Sequence, residues 1–488
     1  MTTCGDIIAQ SGASFGTSGV RGLVEDLNDE TCFAFALAYL SHLKNEKAAQ
    51  DISKIWVGHD LRPSSPRIAN AVLRAIEHLG LTAIFCAEIA TPSLAYSSIN
   101  AQQPAVMITG SHIPFDRNGI KFYRPDGEMT KADEAFVLNS KIGFPVELFE
   151  KHDLKNSGPS PTVDRRAHEA WHQRYVTAFG NLLADIRVGH YQHSAAGRDD
   201  LAQILKTLGA TVIPLKRSEV FIPIDTEAVS ENDREQAKAW SSEHRLDALV
   251  STDGDGDRPL LADENGDYFR GDTLGILTAM ALKADAVVTP VSSNTALEKS
   301  GKFVTIGRTK IGSPHVIAEM EKVAAEGDAS VVGFEANGGF LTASQLKSPW
   351  NEVTLKPLPT RDSVLPVLAT LALSKLNKVK LSELTKLLPL RVTSSDRLVE
   401  TGKDVSMDLL SKFAKGDIDP SALSKTNSPL KQTDTTDGMR FTFEDETIVH
   451  LRPSGNAPEL RIYVETQSQD TADEMLSHTK QKVESLLS

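Results

Sequence analysis

The chain has 488 residues, too many for one core, and at roughly 100–200 residues per domain it should hold three or four. Its 40% hydrophobic and 24% charged content is ordinary for a globular protein, and a net charge of −13 excludes a general binder of nucleic acid or anionic membrane, which needs a basic face. Three cysteines without CxxC spacing, no apolar run of the ~18 residues a membrane span needs, and no basic stretch in Met1–Gln10 point to a reduced, cytoplasmic chain.

In chain order, Phe15-Gly-Thr-Ser-Gly-Val-Arg-Gly22 is a glycine-rich turn that can bring Arg21 and backbone N–H groups to an anion, ahead of a helix over Thr31–Leu43. A buried strand at Ile55–Asp60, a helix over Arg62–Leu79 and a strand at Leu81–Ala87 follow. A short helix opened by Thr91-Pro92-Ser93 and the strand from Val106 complete the unit. This alternation predicts an α/β unit with a largely parallel sheet, whose functional loops lie at strand C-terminal ends. The polar stretch Glu150–Thr162 reads as a linker. A second α/β unit runs through a helix over Ala167–Asn181 and strands at Ile186–Tyr191, Thr211–Leu215 and Asp247–Ser251. A third begins near Glu264, with strands at Ala286–Pro290, Phe303–Ile306 and Ser330–Phe334 and a helix over Pro314–Glu326. From about Arg391 the pattern changes to short alternating runs, Arg440–Phe443, Ile448–Leu451 and Leu460–Glu465, and a terminal helix over Thr471–Leu487. The expected fold class is α/β: three similar mixed α/β domains plus a C-terminal α+β domain around a central cleft. The expected boundaries are 1–155, 156–265, 266–388 and 389–488.

Four loops carry chemistry. Thr109-Gly-Ser-His-Ile-Pro114 sets a hydroxyl beside an imidazole, with Arg117 and Lys121 close by, which is the raw material for a serine that carries phosphate. Asp253-Gly-Asp-Gly-Asp-Arg258 alternates carboxylates with glycines that let the backbone fold round one small hard cation. Acidic residues at positions 1, 3, 5 and 12 (Glu264) imitate an EF-hand, but Arg258 stands where that loop needs glycine, and a strand rather than a helix leads in. Gly333-Phe-Glu-Ala-Asn-Gly-Gly339 offers Glu335 and Asn337, which share a side if the segment is extended and then suit paired sugar hydroxyls. Arg452-Pro-Ser-Gly-Asn-Ala-Pro458 combines a guanidinium fork, a hydroxyl and glycine-rich backbone, as a phosphate clamp would. Taken singly, each loop can be read as a plain turn, and the Asp-rich loop is the strongest single motif.

Together and in this order the four loops, supported by Phe15–Gly22, resemble the α-D-phosphohexomutase superfamily of phosphoglucomutases, phosphomannomutases and phosphoglucosamine mutases. The resemblance implies a four-domain, heart-shaped protein with one loop from each domain in a central cleft. It implies a phosphorylated Ser111, and one Mg²⁺ held by Asp253, Asp255, Asp257 and an oxygen on Ser111. Arg21, Lys121 and Arg258 would lie near the transferring phosphoryl group, with His112 or Lys121 as general acid or base. Glu335 and Asn337 would read sugar hydroxyls, Arg452, Ser454, Gly455 and Asn456 would hold the unreacting phosphate, and Arg308 and Lys310 would be third-domain contacts. The metal also follows from charge: a phosphoserine of about −1.5 to −2 beside three aspartates is repulsive without a cation.

The implied reaction passes through a hexose 1,6-bisphosphate, which serves as intermediate and activator. Mannose phosphates are the leading substrate, with glucose and glucosamine phosphates as alternatives. A sugar-phosphate phosphatase and a non-catalytic sensor are the rival functions. No nucleic-acid or membrane partner is expected, and the chain should act as a monomer or small homo-oligomer. Three departures from the superfamily pattern bear on the sugar: Gly110 and Ile113 replace Ala and Asn in the serine loop, Asn337 stands where Ser is usual, and Asn456-Ala457 replaces Thr-Glu in the clamp.

Overall fold

A computed structural model describes residues 2–16, 19–46, 52–159, 161–327, 330–454 and 458–487. The first sheet contains β1 (Val20–Leu23), β2 (Lys54–His59), β3 (Thr82–Glu88), β4 (Ala105–Ile108) and β5 (Arg117–Arg124), in the order β3-β2-β4-β5-β1. Its helices include α1 (Asp29–Asn45), α2 (Ser65–His78) and α3 (Thr91–Asn100). β2 and β4 are almost wholly buried, β3 lies half-exposed at the sheet edge, and the three pair in parallel. β5 and β1 run antiparallel, so the sheet is mixed where the strand–helix alternation had suggested a largely parallel one. Alternation sees the crossovers, but not the hairpin that returns β5 beside β4.

The second sheet holds β6 (Arg187–His193), β7 (Thr211–Arg217), β8 (Ala248–Thr252) and β9 (Pro259–Ala262), in the order β7-β6-β8-β9. Helix α4 (Arg166–Phe179) precedes it. The third holds β10 (Ala286–Pro290), β11 (Thr305–Thr309), β12 (Val331–Phe334), β13 (Phe340–Thr342) and β14 (Leu358–Asp362), in the order β11-β10-β12-β13-β14. Both repeat the first plan: three parallel strands, then a fourth antiparallel strand joined to the third by a tight loop. The serine, Asp-rich and Glu335 loops are those three joining loops, closed by the pairs Ile108–Ile120, Thr252–Pro259 and Phe334–Phe340. Equivalent places in three similar units thus supply three different chemistries.

The last unit is a five-stranded antiparallel sheet, β15 (Val392–Leu398), β16 (Leu430–Asp434), β17 (Met439–Phe443), β18 (Ile448–Pro453) and β19 (Leu460–Thr466), with the helix Gln469–Leu487. The order is β15-β19-β18-β17-β16, and Arg452 and Pro453 end β18. The first unit builds its own core around Phe33, Phe35, Val57 and Val106, and the last around Phe441, Leu451 and Ile462. The second and third share one continuous core, in which Trp171 and Val188 join Val287, Phe334 and Leu368. The helix Val364–Asn377, apolar on nearly every face and so without an amphipathic signature, fills that shared core. The supposed linker begins by folding back on the first unit: Leu154 packs against its core and its amide donates to Asp29.

Candidate active site

The serine loop is shaped by an arginine buried beneath it. Arg62 pairs with Asp60 at 3.2 Å and donates to the carbonyls of Ser111, Ile113, Pro114 and Arg117 at 2.5–2.9 Å. A Cβ at position 110 would stand 2.7 Å from its guanidinium carbon, so Gly110 is required by this brace. Ser111 is buried and takes a left-handed φ of 55°, a conformation that non-glycine residues adopt where surrounding structure holds them in it. Its amide donates to Thr109 Oγ1 (2.8 Å) and its hydroxyl to Asp253 Oδ2 (2.6 Å). His112 Nδ1 lies 3.4 Å from the same hydroxyl oxygen.

Asp253, Asp255 and Asp257 are all buried, with one oxygen of each within 4.8 Å of the others. Gly256, at φ 71°, makes the return that brings them together. Lys121 reaches from β5 to Asp255 (2.6 Å) and Asp257 (2.8 Å), and Thr91, at the N-terminus of α3, donates to Asp255 (2.5 Å). Burial raises the Lys121 ammonium's cost, but the two carboxylates outweigh it and hold the group protonated. Burial likewise disfavours the charged form of Asp257, yet Arg361 and Lys121 prevail and keep it well below the usual carboxylate range. Asp253 is driven well above that range by burial and by repulsion from its two neighbours.

Asp255 Oδ1 and Asp257 Oδ1 are buried without hydrogen-bond partners. Buried carboxylate oxygens left unpaired, convergent and made only of hard oxygen, fit a divalent cation such as Mg²⁺. A cation there would also relieve the repulsion that raises Asp253.

Arginines ring the triad. Arg258 is buried, 3.7–3.9 Å from Asp257 and Asp253, with its Nε unpartnered. Arg21 is half-buried on β1, makes no ion pair among the described residues, and is repelled by Arg258 and Arg361. Cations held this close await an anion. Arg361, on β14, bridges Asp257 (2.8 and 3.1 Å) to Glu335 (3.2 Å) and so ties the metal loop to the sugar loop. His112 is pushed down to about 4 by burial and by Arg258, which leaves its imidazole neutral.

Glu335 and Asn337 are buried, but their segment is a tight turn rather than an extended one. Gly338 N donates to Glu335 O, and Asn337 Oδ1 folds back onto Gly339 N at 2.9 Å. The reason is Gly338 at φ 86°, which reverses the chain into β13. Arg308 braces its own unit, paired with Glu298 and donating to the carbonyls of Pro290, Ser293 and Asn294. Lys310 is exposed, and after burial its positive charge, with those of Lys131 and Arg452, disfavours the charged form of His315. Arg452 is held by Asp437 (2.7 Å), which also accepts from Ile311 N and so joins the last unit to the third. Ser454 is buried beside it. Gly455 and Asn456 lie outside the described residues, as do Thr17 and Ser18 of the first loop.

Sequence reasoning missed Arg62, Thr91 and Arg361. Each acts on a residue at least 49 positions away; Arg62, directly before Pro63 at a strand end, and Thr91, directly before Pro92 at a helix start, stood at recognisable boundaries, whereas Arg361 did not.

A buried serine on an aspartate triad, ringed by arginines with spare donors, defines a phosphoryl-transfer enzyme. Family models for phosphoglucomutase/phosphomannomutase match the chain in three parts: α/β/α domain I over residues 12–142, α/β/α domain III over 270–391, and the C-terminal domain over 410–479. Phosphomannomutases from Salmonella muenchen and Sinorhizobium fredii are 44% and 40% identical, covering 98% and 96% of this chain and 98% of each relative. In fold the chain is also similar to Aspergillus fumigatus N-acetylphosphoglucosamine mutase, solved with GlcNAc-6P and magnesium. That likeness has a TM-score of 0.58 at 14% identity and covers 99% of this chain and 98% of the other. The chain therefore belongs to the phosphoglucomutase/phosphomannomutase family of α-D-phosphohexomutases, and is an isomerase that works by phosphoryl transfer. Among the described residues, no helix is long and apolar enough to cross a membrane.

Proposed function

We propose that the enzyme interconverts mannose 6-phosphate and mannose 1-phosphate through phosphorylated Ser111 and a hexose 1,6-bisphosphate. The observation that carries the chemistry is the Ser111 hydroxyl, buried and 2.6 Å from a carboxylate triad that keeps two oxygens unpaired. Identity of 44% to a phosphomannomutase supports the sugar.

In the first transfer the bond from phosphorus to Ser111 oxygen breaks and one to the free sugar hydroxyl forms. The proton that hydroxyl loses is the one the Ser111 oxygen gains. His112, 3.4 Å from that oxygen, is placed to pass it, while Lys121 is committed to two carboxylates and stabilises charge. The bisphosphate then turns over and returns its other phosphoryl group to Ser111 by the reverse exchange. Arg21 and Arg258 neutralise the moving group, Glu335 and Asn337 read hydroxyls, and Arg452, Ser454, Gly455 and Asn456 hold the idle phosphate, with Lys310 and the Arg308-braced loop as third-unit support. One Mg²⁺ on Asp253, Asp255, Asp257 and a Ser111 phosphoryl oxygen would supply charge neutralisation. This reading assigns one loop to each of the parts 1–155, 156–265, 266–388 and 389–488 of a cytoplasmic enzyme, monomeric or a small homo-oligomer.

The test is a side-by-side assay of mannose, glucose and glucosamine 1-phosphates with Mg²⁺, scoring isomer and free phosphate. Mannose 1-phosphate should give the highest kcat/KM, with isomer in large excess over free phosphate. Ser111→Ala should abolish exchange, and turnover retained in that variant would overturn the mechanism.

A further inference from the structure

Between β7 and the helix Glu231–His244, residues 218–230 form neither helix nor strand. A long irregular connection in a compact unit is usually functional, and this one is firmly anchored. Ile222 N donates to Ser194 Oγ (2.7 Å), and Ile224 is in the core. The Phe221 ring lies 4.1 Å beneath the Arg62 guanidinium that shapes the serine loop. The same ring stands where a Cβ on Gly254 of the metal loop would come within 3.1 Å. Thr226, buried, donates to Asn337 O of the sugar loop (2.9 Å). The segment thus touches the metal loop, the sugar loop and the arginine that braces the serine loop.

Between its contacts it presents Asp225 and Glu227, with the Glu227 amide held by Asp225 Oδ1 at 2.9 Å. The Glu227 side chain is exposed, and among the described residues it makes no ion pair or side-chain hydrogen bond. Yet the charges that act on it come from the metal loop (Arg258), the sugar loop (Glu335) and the last unit (Arg461), besides Asp225. A carboxylate open to solvent but surrounded by charges of three units lines a cleft, not a convex surface. Its neighbour Thr226 is bonded to the sugar loop, so the carboxylate stands beside the residues assigned to the ring hydroxyls. A carboxylate only accepts hydrogen bonds, and ring hydroxyls are donors that need such a partner.

We infer that residues 218–230 are a fifth wall of the cleft, and that Glu227 accepts a hydrogen bond from a ring hydroxyl of the bound hexose phosphate, as a second sugar-reading carboxylate opposite Glu335. This rests on the mutase reading and adds a specificity residue to it.

The test compares wild type with Glu227→Gln on mannose 1-phosphate and on its 2-, 3- and 4-deoxy analogues, alongside thermal unfolding of both proteins. With unchanged unfolding, the variant should lose on the order of 10–100-fold in kcat/KM on the parent sugar, mostly in KM, the scale of a lost hydrogen bond to a charged group. On the one analogue that lacks the hydroxyl in question, variant and wild type should be equal. Equal rates on the parent sugar, or the same loss on every analogue, overturns the assignment of Glu227 alone. Wild type inactive on every hexose phosphate overturns the mutase reading and this inference with it.

Discussion

Arg62 shows how one side chain can set a reactive loop. Its guanidinium satisfies four carbonyls of the serine loop and neutralises Asp60, all away from water. Arg62→Met keeps the volume but leaves a buried carboxylate unpaired, so stability should fall by about 3–5 kcal/mol in urea unfolding, and Ser111 should no longer take phosphate from a hexose 1,6-bisphosphate. The triad makes a second prediction at this scale. A cation that binds only the folded state raises the melting temperature, so Mg²⁺ should stabilise the wild type in thermal unfolding, and Asp255→Asn should largely abolish that rise.

At the scale of elements, the recurring device is the hairpin that follows three parallel strands. Its two ends are pinned by the sheet, so the loop residues need only close a short gap, and glycine makes that closure possible. Gly338 illustrates the constraint: its φ is 86°, and a Cβ there would meet Pro259, next to the metal loop, at 3.0 Å. Gly338→Ala should cost about 1–2 kcal/mol and raise KM by displacing Glu335, as thermal unfolding and steady-state kinetics can measure. The same hairpin is why the first sheet is mixed: periodicity reports which residues are strands, but pairing direction belongs to the partner.

Over the whole molecule, buried neutral histidines tie stability to pH. Burial, reinforced by His193, pushes His190 down to about 3, and burial takes His450 to about 4, against ~6.5 when unfolded. Between these values the unfolded chain binds more protons than the folded one. Stability is therefore full above pH ~6.5 and is lost as pH falls toward 4, by about 2 kcal/mol per histidine at pH 5. Melting temperature followed from pH 7 to 5 should show the decline, and His190→Gln should reduce it by about one histidine's share. The shared core of the second and third units implies that they unfold together, whereas the first and last each have a core of their own.

Within the chain, spacing singled out Ser111, the three aspartates, Glu335 and Arg452 as candidates, because each motif packs its donors and acceptors into a few consecutive residues, and the order of the four loops, with the resemblance it carries, raised them above plain turns. Strands such as Ala286–Pro290 were equally legible, since burial on both faces leaves a continuous apolar run. The helix Val364–Asn377 was not, because a segment apolar all round has no period to read. Tertiary structure alone decided that Arg361 joins Asp257 to Glu335, that Gly110 makes room for Arg62, and that Thr226 ties residues 218–230 to the sugar loop. Those facts depend on partners from 26 to 111 residues away, brought together by packing that no local pattern encodes.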